Sequence, residues 1–113
     1  MRVLVCGGRD FYHFGVVNMV LSKYENEPNL VIIQGGAKGA DFLAKAWADW
    51  RSIPCEEYPA DWKQYGKRAG NIRNAQMLNE GKPDLVIAFR GGRGTADMVD
   101  KATHAGIKVV EVK

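Results

Sequence analysis

Three glycine-rich turns divide this chain, and each follows directly after a short apolar run. They are residues 7–10 (Gly-Gly-Arg-Asp), 35–41 (Gly-Gly-Ala-Lys-Gly-Ala-Asp) and 91–97 (Gly-Gly-Arg-Gly-Thr-Ala-Asp). Glycine lets backbone N–H groups approach a ligand closely, and a helix that begins at such a turn adds a positive dipole end. Three turns of this construction predict a site for a phosphorylated, nucleotide-like molecule.

Short apolar runs alternate with amphipathic stretches along the whole chain. Continuous apolar runs are typical of buried parallel strands, and apolar spacings of three and four are typical of helices. The predicted strands are 2–6, 30–34, 54–58, 84–89 and 107–112, and the predicted helices are 14–26, one from about residue 39, 69–80 and 95–105. The alternation predicts one domain, residues 1–113, with a Rossmann-like three-layer αβα sandwich and a five-stranded, mainly parallel sheet.

The order of the strands decides whether the three turns meet. Right-handed crossovers favour the order 3-2-1-4-5, in which the first and fourth strands are neighbours. Ligands of such sheets bind beyond the carboxyl ends of the strands, where the strand order reverses. The sequence therefore predicts one cleft lined by all three turns.

The composition excludes several classes of protein. The chain is 46% apolar and 26% charged, and no apolar run approaches the roughly 20 residues of a membrane span, so a cytoplasmic protein is expected. Cys6, Cys55, His13 and His104 lack the spacing of metal ligands, and neither a metal nor a cofactor is predicted. A net charge of +3 is too small to indicate nucleic-acid binding by itself.

The turns also differ from two familiar nucleotide motifs. The first turn is not G-x-G-x-x-G, and the second strand ends at Gln34 without an acid for a ribose, which argues against a classical NAD dehydrogenase. The second turn lacks the Gly-Lys-Ser/Thr of a P-loop, which argues against an ATPase of that type.

The candidate ligand-binding residues lie in the turns and in the fourth helical stretch. Amides of the third turn would hold phosphate, Thr95 would cap a helix or donate its hydroxyl, and Arg73 would clamp phosphate. Trp62 and Tyr65 would stack on a base or cover the sheet edge, and each turn alone also fits a tight connection without a ligand. The full set is Gly7, Gly8, Arg9, Asp10, Gly35, Gly36, Lys38, Gly39, Asp41, Arg73, Asn74, Gly91, Gly92, Arg93, Gly94 and Thr95.

Together with Tyr58-Pro59-Ala60-Asp61-Trp62 and Ile72-Arg73-Asn74, the three turns form an ordered set of five motifs. This set resembles the YspA/cpYpsA-related branch of the SLOG superfamily, which groups DprA and LOG ("lysine decarboxylase-like") proteins and occurs in bacteria and their phages. The resemblance implies a Rossmann-like fold that binds nucleotides or nucleotide-derived ligands.

The resemblance leaves the activity open. The first expectation is binding of a nucleotide or ADP-ribose-like ligand, with Asp10, Asp41 or Asp97 on ribose hydroxyls. LOG relatives hydrolyse the N-glycosidic bond of nucleoside monophosphates, which would make Arg73 and Asp97 catalytic, although Met98 stands at the position of the LOG glutamate. A DNA-binding accessory role is the second alternative. LOG relatives are commonly dimers, so a homodimer is expected.

Overall fold

A five-stranded, all-parallel sheet forms the centre of the molecule, and the computed structural model describes all residues, 1–113. The strand order is β3-β2-β1-β4-β5, which confirms the order predicted from the sequence. The strands are β1 (Arg2–Cys6), β2 (Val31–Gln34), β3 (Cys55–Glu57), β4 (Leu85–Ala88) and β5 (Lys108–Glu111). The sheet order reverses between β1 and β4, which pair along four residues from Val3↔Leu85 to Cys6↔Ala88.

Five α-helices accompany the sheet: α1 (Phe14–Leu21), α2 (Ala40–Trp50), α3 (Trp62–Tyr65), α4 (Ala69–Gly81) and α5 (Arg93–His104). Alternate residues of a strand point to opposite faces. Val3 and Val5 of β1 therefore pack with α1 and α2, whereas Leu4 and Cys6 pack with α4 and α5. This arrangement confirms the three-layer αβα sandwich.

The observed elements differ from the predicted ones at four places, the last of which is the start of α5. The predicted helix 14–26 ends as an α-helix at Leu21 and continues as a 3-10 turn, Ser22–Tyr24. The segment 59–68, for which the sequence predicts no helix or strand, contains α3 and a second 3-10 turn, Gly66–Arg68. In α4 the buried residues are Ala69, Asn74, Met77 and Gly81, whereas the apolar Ile72 is exposed.

The start of α5 is the fourth difference, and it concerns the site directly. This helix begins at Arg93, two residues before the predicted start, and Gly92 occupies the N-cap position. Thr95 is therefore the third residue of the helix and does not cap it. None of the helices combines the length and the apolar character that a membrane span requires.

Candidate functional site: a cationic cleft at the switch point

A cleft of about 880 Å³ lies at the carboxyl ends of β1 and β4. Its walls come from the turn after β1, the turn after β4, the first half of α4 and the segment that precedes α4. The volume is in the range of small-molecule sites, which is about 300–1,000 Å³. The reversal of strand order opens this space, because the connections from β1 and β4 leave toward opposite faces of the sheet.

Most of the residues predicted for the site line this cleft. From the predicted set the structure places there Gly7, Gly8, Arg9, Asp10, Asp41, Arg73, Asn74, Gly91, Gly92, Arg93, Gly94 and Thr95. Five predicted residues do not line it: Gly35, Gly36, Lys38, Gly39 and Asp97. The first and third turns thus meet as expected, and the second turn contributes only Ala37 and Asp41.

The third turn presents a row of backbone N–H groups without partners in the protein. The first helical N–H···O=C bond at this end runs from Ala96 to Gly92, at 3.0 Å. The amides of residues 91–95 donate no hydrogen bond to any backbone or side-chain acceptor, because the N–H groups at the start of a helix have no acceptor one turn earlier. Such amides and the helix dipole together favour an anion at this position.

The first turn holds the third turn in place through Gly8. Its N–H donates to Arg90 O at 2.9 Å, and its carbonyl accepts from Phe11 N at 3.2 Å and from Ala40 N at 3.1 Å. The approach is close enough that a Cβ on Gly91 would lie 2.6 Å from Gly8 N. Glycine at position 91 is therefore required by packing between the turns.

Three amides of the second turn donate to side chains of the same segment, and the predicted contact of this turn with phosphate stays a prediction. Asp41 Oδ2 accepts from Gly35 N and Ala37 N, each at 3.2 Å, and Gln34 Oε1 accepts from Gly36 N at 2.6 Å. Gly39 has φ +77° and lies against the backbone of the first turn. The role of this turn is to join α2 to the first turn.

Arg73 is a partly buried guanidinium that forms no ion pair with any carboxylate. Its Nη1 donates to Gly35 O at 2.5 Å, and its Nε donates to Asn74 Oδ1 at 3.1 Å. Burial lowers the pKa of Arg73, and the neighbouring Asp41 offsets part of this effect. A guanidinium held at this position without a counterion is suited to bind an anionic ligand.

Asn74 is buried and connects Arg73 to α5. Its Nδ2 donates to Gly94 O at 3.1 Å and to Asp97 Oδ2 at 3.0 Å. The other carboxylate oxygen of Asp97 accepts from Lys101 of the same helix, so both oxygens of Asp97 have a hydrogen-bond donor. Asp97 does not line the cleft and contacts it through Asn74, and its predicted contact with a ribose stays a prediction.

The cleft carries the whole positive excess of the protein. Arg9, Lys67, Arg73, Arg90 and Arg93 line it, against the carboxylates of Asp10 and Asp41. The chain has 16 basic and 13 acidic residues, so 11 of each lie outside the cleft. Basic side chains grouped in a cleft with low-dielectric walls raise the positive electrostatic potential that acts on a bound anion.

Ten lining residues were absent from the predicted set: Cys6, Phe11, His13, Ala37, Trp62, Lys67, Gly70, Asn71, Met77 and Arg90. Two of these residues, Lys67 and Arg90, could have been predicted from the sequence, because the basic residues of this chain cluster beside turns.

Burial raises the pKa of Cys6 to about 12, so this thiol stays protonated and is no nucleophile.

Asp41 is a carboxyl group with an altered pKa at the floor of the cleft. Burial raises the pKa of Asp41 to about 6, although hydrogen bonds from Ala37 and Gly35 and the charge of Arg73 act in the opposite direction. The residue is 6% exposed, which explains why loss of hydration dominates. The folded protein consequently binds this proton more tightly than the unfolded chain does.

The Asp41→Asn variant is expected to be more stable than the wild type above pH 6 and equally stable near pH 4. The contribution of Asp41 to the free energy of unfolding falls as the pH rises from the unfolded pKa of about 4 toward the folded pKa of about 6. The expected gain at pH 8 is about 1–3 kcal/mol. Urea unfolding of both proteins at pH 4, 6 and 8 measures it, and a difference that does not vary with pH would contradict the assignment.

Two comparisons with known proteins identify the family of this chain. The sequence model of the YspA, cpYpsA-related SLOG family matches residues 1–65, which include the first two turns. A protein of Mycobacterium phage D29 described as "Gene 61 protein" is 36% identical over 118 residues, covering 96% of this chain and 94% of the phage protein. On both grounds, this chain belongs to the YspA, cpYpsA-related SLOG family.

Proposed function

We propose that this protein binds a nucleotide or a nucleotide-derived, ADP-ribose-like ligand in the cleft at the switch point. The observation that carries the proposal is the row of five unbonded amides, residues 91–95, in the same cleft as the unpaired guanidinium of Arg73. Membership of the SLOG family supports it, because the family suggests a nucleotide-related function.

The proposed roles follow from the contacts. The phosphate lies on the amides of residues 91–95, and the free edge of Arg73 donates to it, as guanidinium groups do to phosphate. Arg9, Arg90 and Arg93 supply further positive charge around it. Asp10 is exposed in the first turn and is the acidic side chain available to ribose hydroxyls.

The geometry favours binding over the two alternatives. Hydrolysis of an N-glycosidic bond as in the LOG relatives would use Asp97, whose oxygens accept hydrogen bonds from Asn74 and Lys101. A DNA-binding surface needs an extended basic stripe, whereas the excess charge here is confined to one cleft.

Titration calorimetry against AMP, ADP-ribose, ribose 5-phosphate and adenosine tests the proposal. Phosphorylated compounds are expected to bind, more weakly as the salt concentration rises, and adenosine is not. Binding of adenosine as tightly as AMP, or no binding of any phosphorylated compound, would overturn it. Chromatography of the same mixtures reports any released base and so detects hydrolysis.

The Gly94→Ala variant is expected to gain stability and lose affinity for phosphorylated ligands. Gly94 is the second residue of α5, nothing lies within 4 Å of a Cβ at this position, and alanine stabilises a helix by up to about 1 kcal/mol relative to glycine. The added methyl occupies space beside the unbonded amides. Thermal unfolding and calorimetry measure the two effects.

Gly15→Ala is the matched control for this variant. Gly15 is the second residue of α1, also with nothing within 4 Å of a Cβ, and it lies outside the cleft. It is expected to gain similar stability with unchanged affinity. Equal affinities in both variants would show that the ligand does not approach the start of α5.

The homodimer expected from the family resemblance stays a prediction. The outer sides of α1 and α2 expose Met19, Phe42 and Trp50, which is apolar surface suited to a contact with a second copy.

A further inference from the structure

A short exposed segment forms one wall of the cleft. All residues from Asp61 to Arg68 are exposed, and Asp61 Oδ1 accepts from Gln64 N at 3.1 Å at the start of α3. The segment carries two exposed aromatic side chains, Trp62 and Tyr65. Only Trp62 lines the cleft, and 47% of its surface is exposed although its ring is apolar. Trp62 therefore presents an accessible apolar ring at the rim of a cationic cleft.

The indole of Trp62 is held between α4 and the first turn. Its Cη2 lies 3.5 Å from the position of a Cβ on Gly70, which is van der Waals distance, so the ring lies against the start of α4. The guanidinium of Arg9 lies over the ring, with Cζ 5.3 Å from the centroid. A planar, positively charged group therefore already occupies one face of the indole in the cleft.

We propose that this face of Trp62 is the stacking surface for the base of the nucleotide, an inference that rests on the proposed function. The base takes the place of the Arg9 guanidinium over the indole, and Arg9 turns toward the phosphate. Arg9 and the third turn line the same cleft, so the base and the phosphate of one ligand have separate places in it. Stacking does not depend on the identity of the base, since every base has a π face.

The experiment compares a ligand that has a base with one that lacks it. AMP and ribose 5-phosphate share the phosphate and the sugar, so only AMP reports on stacking. Trp62→Ala is expected to weaken AMP binding by about 5- to 150-fold and to leave ribose 5-phosphate binding unchanged. Trp62→Phe keeps an aromatic face and is expected to retain most of the AMP affinity.

Two further variants serve as controls. Trp50→Ala removes a similarly exposed tryptophan that packs against Phe14 outside the cleft, and its affinities for both ligands are expected to equal those of the wild type. Arg9→Gln removes a charge that serves the phosphate, and it is expected to weaken both ligands by similar factors.

The outcomes separate this inference from the proposed function. If the wild type binds AMP no better than ribose 5-phosphate, or if Trp62→Ala weakens both ligands equally or neither, the stacking site is overturned and the phosphate site stands. If the wild type binds neither compound nor ADP-ribose, the proposed function fails and the stacking site fails with it.

Discussion

Replacing Arg73 with glutamine is expected to weaken the binding of AMP or ribose 5-phosphate by about 10- to 100-fold. Hydrogen bonds to charged groups contribute about 1.5–3 kcal/mol each, and each 1.4 kcal/mol corresponds to a factor of about ten in affinity. The fold is expected to tolerate the change, because Arg73 has no ion-pair partner and its charge is partly desolvated. Calorimetry gives the affinity, and urea unfolding gives the stability.

Arg68→Gln is the matched control for Arg73→Gln. Arg68 immediately precedes α4, is exposed and does not line the cleft, so its loss removes the same charge without removing a contact. Arg73→Lys keeps the charge but loses the planar pair of donors, and an intermediate affinity is expected. Equal losses in the Arg68 and Arg73 glutamine variants would show that only long-range charge matters.

The Gly39→Ala variant is expected to lose about 3 kcal/mol of stability or more. Gly39 has φ +77° and ψ −126°, a backbone conformation that costs a residue with a side chain about 1–3 kcal/mol. A Cβ at this position would also collide with the carbonyl of Gly8 and lie 2.7 Å from Arg9 O. Neither backbone atom can move without separating α2 from the first turn. Urea unfolding measures the loss.

Gly66→Ala separates the two causes of that loss. Gly66 has nearly the same backbone conformation, φ +56° and ψ −132°, but nothing lies within 4 Å of a Cβ there. Its variant is expected to lose only the conformational part, about 1–3 kcal/mol. If both variants lost the same amount, the predicted collision of the Cβ at position 39 with the first turn would have no measurable cost.

The fold was predictable because several independent patterns agreed. Apolar runs gave the strands, glycines ended them, and right-handed parallel connections predicted a doubly wound sheet. The start of α5 was less predictable, because Gly94 is a poor helix former that suggested a longer turn. Burial of Met98 and Ala102 on the helix face outweighs that local preference.

The candidate site was predictable only in part, for reasons seen at Asp41 and Asn74. An acid after a glycine turn can face a ligand or bind the turn's own amides, and the chain order of residues 35–41 is the same in both cases. Asp41 does the second. The links of Asn74 to Gly94 and Asp97 join residues about 20 positions apart in the chain. Such contacts depend on how α4 and α5 pack, which periodicity does not reveal.

The bonds of Gly8 have a consequence for the energetics of recognition. One residue donates to the turn after β4 and accepts from the start of α2, so the backbone around the proposed phosphate position is held in place by the protein itself. Little chain entropy would then be lost when the proposed ligand binds, and more of the interaction energy would be retained as affinity. The reorganisation that the proposed stacking requires falls on the side chain of Arg9, which rearranges faster than a loop can fold.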